Sequence, residues 1–342
     1  MIKISREKLN EVFVKLSANK DLFLPIKKAG EVNYGKFADG VEVSLDTLKT
    51  VKSAKDFFFP QSEDMMKFKV EGNNIEIKDA KEEIKEFILF GVKACDYKSF
   101  EVLDKVFLSD PVDSYYKARR EKGIIVTLAC SKPETSCFCK AFGIHAENPL
   151  GDVTTWLDEE YMYLTANTPK GESVLAEINE FSEGESGEEK VEEIKNNIVN
   201  IIDNLPYSNI DLSRFKPENL NELFNLNEWQ ELSEACLGCG TCTFVCPTCQ
   251  CFDIRDFKTN SGVVRFRCWD SCMYSDFTQM AAENSRKTQM QRFRQRFMHK
   301  LCYFPSQYGM YSCVGCGRCV NKCPQSLNII KVIKKIGGKD NG

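Results

Sequence analysis

The chain has 342 residues, 42% hydrophobic and 28% charged, with a formal net charge of −4 and 17 cysteines. This is the composition of a globular protein with ample core material. The longest apolar runs, Phe87–Val92 and Ile124–Ala129, are strand-sized and too short to cross a bilayer. The N-terminus, MIKISREKLNEVFVKL, has neither the apolar stretch nor the small-residue cleavage site of a signal peptide. A cytoplasmic location is therefore expected. The cytosol keeps thiols reduced, so metal binding explains so many cysteines better than a disulfide framework, and an anaerobic host suits exposed clusters. From Pro206 onward there are 18 Lys and Arg against 12 Asp and Glu, and before it 28 against 38. That basic excess helps to offset anionic thiolates and is too modest to indicate nucleic acid.

In chain order, residues 5–18 are expected to form a helix with Leu9, Val12, Phe13 and Leu16 on one face and Ser5 as N-cap. Residues 65–78 read as a hairpin turning at Gly72-Asn73-Asn74. A strand over 86–92, a helix over 97–107 and a strand over 123–129 follow, an alternation that points to an α/β core. Residues 182–190, SEGESGEEK, read as an exposed loop or linker. Helices are expected at 191–203 and 216–230. The fold class expected is α+β. An N-terminal α/β domain spans 1–205. An α-rich, bacterial-ferredoxin-like domain spans 206–342, with a long insertion, 247–312, between its two cluster motifs.

Those motifs form an internal repeat. Residues 236–247, CLGCGTCTFVCP, and 313–324, CVGCGRCVNKCP, share the spacing C-x2-C-x2-C-x3-C-P. Three thiolates two residues apart wrap one face of a cubane, and the intervening glycines permit the tight turns. In two-cluster ferredoxins the fourth cysteine of each run ligates the other cluster. One [4Fe–4S] cluster is then assigned to Cys236, Cys239, Cys242 and Cys323, and the second to Cys313, Cys316, Cys319 and Cys246. Structural zinc is the alternative, but zinc sites usually draw on separated CxxC pairs.

The insertion supplies Cys249, Cys251, Cys268 and Cys272, which either complete a metal site or pack as buried thiols. Cys302 stands alone and reads as packing. The first half holds Cys95, Cys130, Cys137 and Cys139. Two of these lie at or just past predicted strand ends, where ligand sites gather in α/β sheets. A third [4Fe–4S] cluster is the favoured reading of the four, with zinc or unligated thiols as alternatives. Residues 285–300 carry six Lys or Arg and no acid. They read as a helix face compensating cluster charge or as a docking surface for an acidic subunit. His145 and His299 read as surface or packing residues.

Several segments together resemble a known family. Residues 87–107 (FILFGVKACDYKSFEVLDKVF), 115–130 (YYKARREKGIIVTLAC), 137–139 (CFC), 245–252 (VCPTCQCF), 267–272 (RCWDSC) and CVGCGRCVNKCP look like the beta subunit of archaeal sulfhydrogenases. The family also takes in an iron–sulfur component of anaerobic sulfite reductase and another of flavin oxidoreductases coupled to heterodisulfide reductase. The resemblance implies an electron relay between a flavin subunit that exchanges electrons with NAD(P)H and a catalytic subunit. It implies ligand roles for the dicluster cysteines and for Cys95, Cys130, Cys137, Cys139, Cys249, Cys251 and Cys272. Cys268 departs from the sulfhydrogenase pattern, in which a basic residue is expected.

No G-x-G-x-x-G follows a strand and no P-loop is present, so flavin and nicotinamide chemistry is expected from a partner. No catalytic residue is assigned. A self-sufficient iron–sulfur enzyme with a substrate site in the N-terminal half is the alternative, and a structural or redox-sensing scaffold is a third reading.

Overall fold

The computed structural model describes residues 1–337 apart from 48, 49, 73, 82, 185, 186 and 261. Eleven strands are described: β1 (Ile2–Ser5), β2 (Asp21–Lys28), β3 (Glu31–Lys36), β4 (Ser62–Glu71), β5 (Asn74–Asp79), β6 (Phe87–Val92), β7 (Gly123–Leu128), β8 (Val153–Leu157), β9 (Tyr161–Ala166), β10 (Phe252–Thr259) and β11 (Gly262–Trp269). Five helices serve the first half: α1 (Leu9–Ser17), α2 (Ala94–Phe107), α3 (Ser114–Lys122), α4 (Pro169–Glu177) and α5 (Glu188–Asp203).

Seven strands form one mixed sheet, in the order β1-β9-β8-β7-β6-β2-β3. Its centre, β2-β6-β7-β8, is parallel. Parallel strands are covered on both faces, and here the sequence alternates to match. Ile88 and Phe90 face Leu9, Val12, Phe13 and Leu16 of α1 and Val174 of α4. Phe87 and Leu89 face Phe100, Leu103 and Phe107 of α2 and Tyr116 of α3. The first helix is led by a short 3-10 turn whose cap, the Ser5 hydroxyl, accepts from the Glu7 amide. The expected 97–107 helix starts earlier, at Ala94. The turn of the 65–78 hairpin includes residue 73, which lies outside the described residues. So do residues 185 and 186 of the expected acidic loop, whose last three positions already belong to α5.

The expected 216–230 helix is broken into Pro217–Asn219, Leu220–Phe224 and Glu228–Ser233. Side chains take the carbonyls that a continuous helix would use. The Trp229 indole donates to Leu223 O at 2.7 Å, and Arg294 Nη1 to Phe224 O at 3.0 Å.

The insertion contributes a hairpin not foreseen from the sequence. Strands β10 and β11 join β4 and β5 in a second, four-stranded sheet, in the order β10-β11-β4-β5. Strands from both sides of residue 205 therefore share this sheet. At its root Arg267, 2% exposed, bonds Glu63 at 2.5 Å and also pairs with Asp113. Its guanidinium lies over the rings of Phe59 and Phe252. Removing one partner of a buried pair leaves an uncompensated charge and costs about 3–5 kcal/mol. Arg267→Ala is expected to lower the thermal transition strongly, read by circular dichroism without oxygen. Arg255→Ala, on the exposed side of the same hairpin, should leave it in place.

Candidate metal centres

None of the 17 cysteines is in a disulfide, and Cys239 alone among them is exposed. The first run and the end of the second meet. Cys236, Cys239, Cys242 and Cys323 line one pocket with Leu237, Met273, Phe293 and Arg296, enclosing about 430 Å³ of empty space partly open to solvent. Polar hydrogens point at the sulfurs: Gln289 Nε2 donates to Cys236 Sγ at 3.3 Å, and the Leu327 amide to Cys323 Sγ at 3.3 Å. The Thr241 hydroxyl and amide beside Cys239 hold its thiol below the usual value.

The remaining dicluster thiols form a second group. Cys313 and Cys316 each lie within electrostatic reach of both Cys319 and Cys246. Burial pushes the Cys316 thiol up to about 12. Cys246 is held well below its usual value, by a hydrogen bond from Cys249 and by the Lys300 charge. Lys300 is buried and donates to Thr248 Oγ1 at 2.7 Å and Ser312 O at 3.0 Å.

A third pocket lies at the carboxyl ends of two adjacent parallel strands. Residue 95 opens α2 just after β6, and residue 130 follows β7. Cys95, Cys130, Cys137 and Cys139 all line this pocket, whose roughly 380 Å³ of empty space is partly open solvent. Lys93, Ile202, Gly315 and Cys316 complete the wall, so the second ferredoxin loop forms part of it. Burial pushes the Cys139 thiol up to about 12.

The insertion cysteines divide. Cys251 lies beside Cys272, and Cys249 beside Cys246. Cys268 lies apart on β11, beside Arg255, Asp253 and Asp270. Cys302 is fully buried in an apolar cluster, and burial alone raises its thiol to about 12. His145 is exposed and meets Glu147 at 2.9 Å, and His299 is held down at about 4, chiefly by burial.

Sequence reasoning missed most of the buried cations. Lys55, 1% exposed, donates to Cys249 O at 2.9 Å and sits 3.5 Å from the Trp269 ring centroid. Burial lowers it to about 8, against the pull of the Cys249 and Cys246 charges. Nothing in the segment AKDFFFP marks it. Arg296 and Lys300 had a signal, the acid-free stretch 285–300. Both are buried, and the Cys242 and Cys319 charges more than offset the desolvation of Arg296. Both side chains are therefore packed beside cysteines and not displayed on the surface.

The donor chemistry fits iron–sulfur cubanes. The pockets offer sulfur, apolar walls and nearby cations. Their thiols stand around cavities, and among the described residues no three His, Cys, Asp or Glu side chains are grouped for a single ion. A metal-bound thiol is deprotonated outright, which removes the penalty that burial puts on a bare thiolate.

Residues 235–327 match a family described as a 4Fe-4S dicluster domain. The chain is 30% identical to the sulfhydrogenase 2 subunit beta of Pyrococcus furiosus over 98% of each sequence. It belongs to the sulfhydrogenase beta-subunit family. No solved structure matches it. As an iron–sulfur beta subunit with a dicluster domain, it carries two [4Fe–4S] clusters. No described helix is long and apolar enough to cross a membrane. Chain purified without oxygen is expected to hold at least about eight irons, matched by acid-labile sulfide. Iron and sulfide quantitation checks this.

Proposed function

We propose that the chain is the electron-relaying subunit of a multi-subunit oxidoreductase, placed between a flavin subunit that exchanges electrons with NAD(P)H and a catalytic subunit. The terminal reaction is of the hydrogenase, sulfite reductase or heterodisulfide reductase type. The relative's name, a sulfhydrogenase subunit, favours the first. One observation carries the reading. Cys323, from the second run, lines a pocket with Cys236, Cys239 and Cys242 of the first, while Cys246 lies within electrostatic reach of Cys313 and Cys316 of the second as well as of Cys242 of its own. That crossing supports the ligand sets Cys236, Cys239, Cys242, Cys323 and Cys313, Cys316, Cys319, Cys246. Each loop then contributes to both sites, which keeps the two close.

A bound cubane supplies reversible one-electron chemistry without proton or substrate binding. The chain's own work is to hold thiolates, exclude water and set local charge. Lys300 and Arg296 place positive charge beside both thiol groups, which favours the more negative, reduced state and raises the potential. A third [4Fe–4S] cluster held by Cys95, Cys130, Cys137 and Cys139 extends the relay into the α/β half. Cys249, Cys251 and Cys272 are candidate ligands of a further site.

Ligand-by-ligand variants test this. Cys323→Ala should abolish the paramagnetic signal of the first-run cluster and Cys246→Ala that of the second-run cluster. The reverse pairing would contradict the crossed sets. Cys95→Ala should lower the iron count from about twelve to about eight. Lys300→Met should lower a cluster midpoint in a spectroscopic redox titration. Anaerobic co-purification should bring a flavin-containing subunit with the chain.

A further inference from the structure

The second ferredoxin loop does not merely neighbour the pocket of Cys95, Cys130, Cys137 and Cys139. It is clamped to it at four places. Arg318 sits between Cys316 and Cys319. Its guanidinium is 3% exposed and grips Asp96, itself 2% exposed, through Nη1–Oδ1 at 2.5 Å and Nη2–Oδ2 at 2.7 Å. Its Nε donates to Thr50 O at 3.1 Å. Asp96 follows Cys95 directly in the first turn of α2, so the pair joins the start of that helix to the second ferredoxin run across 222 residues of sequence. The Phe138 amide donates to Gly315 O at 2.9 Å. A Cβ at Gly315 would lie 2.5 Å from Phe138 C and O, and one at Gly317 2.6 Å from Ser136 O. Both glycines have positive φ. Asn321 Nδ2 donates to Glu134 Oε2 at 2.6 Å.

A bidentate Arg–carboxylate pair fixes direction as well as distance, because two parallel bonds resist rotation. Buried pairs of this kind are weak sources of net stability, and specifying one arrangement is the role that fits such a pair. Backbone-to-backbone contact at the glycines removes the remaining freedom to slide.

We propose that Asp96 and Arg318 are positioning residues that lock the second ferredoxin loop onto the four-cysteine pocket. They thereby fix the separation of the second-run cluster site from the site in the α/β half. This rests on the reading that the pocket holds a [4Fe–4S] cluster. The second run then touches both neighbours, through Gly315 and Cys316 at the four-cysteine pocket and through Cys323 at the first-run pocket.

Two variants of the full chain test the clamp, with iron content, midpoint potential and electron paramagnetic resonance as readouts. Arg318→Lys keeps the charge but loses the fork. Asp96→Glu keeps the partner's charge but moves its carboxylate out of register with the fork. In the reduced unaltered chain, neighbouring cluster spins should split one another's signals. Both variants should keep their iron and lose the splitting between the pocket and second-run signals, and Arg318→Lys should keep the second-run midpoint. About twelve irons with unaltered splitting in the variants overturns the clamp alone. So does a shifted midpoint in Arg318→Lys with the splitting intact, which would make Arg318 a charge and not a clamp. Loss of iron from both variants also overturns it, since the contacts would then be needed to hold a cluster at all. About eight irons in the unaltered chain sinks the cluster reading of the pocket, and the clamp with it.

Discussion

A sulfur-rich interior has to balance its charge locally. Thiolates taken out of water are strongly disfavoured, and so are lysines and arginines, unless each finds the other or a metal. Here buried cations and buried cysteines are interleaved. For Lys55, Lys93, Lys300 and Arg296 the strongest attractive charge is a cysteine sulfur. Arg318 differs. Its first partner is Asp96, with Cys316 next. The fold is arranged around this constraint: the parallel sheet delivers Lys93 and Cys95 together, the 285–300 segment delivers Arg296 and Lys300, and the first half delivers Lys55 to the insertion.

That arrangement explains why the two halves interlock so tightly. Lys55 reaches Cys249 across 194 residues, Arg267 reaches Glu63 across 204, and Arg318 reaches Asp96 across 222. The cluster motifs alone are short loops with little secondary structure of their own. The insertion adds its hairpin to β4, and the α/β half closes over the second loop. The dicluster segment is thereby packed against both the insertion hairpin and the α/β half.

The dicluster motif was legible because its spacing is local: C-x2-C-x2-C-x3-CP states its chemistry within twelve residues. The central strands Phe87–Val92 and Gly123–Leu128 were legible for the same reason, as short apolar runs between polar turns. The 65–78 hairpin was read, but its pairing with β10 and β11 was not. Both strands alternate apolar and charged residues, as in Phe252-Asp253-Ile254-Arg255, but β10 is largely exposed and nothing local names the strand that the hairpin pairs with. Strands β1, β2, β3, β8 and β9 were likewise not picked out. The broken 216–230 helix failed for a physical reason, since the Phe224 carbonyl is taken by Arg294, 70 residues on, which only the tertiary fold brings there. The buried cations were the least visible. A lysine at 55 or an arginine at 318 looks like any surface residue until its partner, some two hundred residues away in sequence, is in place.

The central claim is that each ferredoxin run holds one cluster with three cysteines and reaches across to the other with its fourth. An anaerobic crystal measured at the iron absorption edge tests it most directly. The account predicts iron density bonded to Cys236, Cys239, Cys242 and Cys323, and separately to Cys313, Cys316, Cys319 and Cys246. Iron bonded to Cys246 together with the first three cysteines of its own run would contradict it.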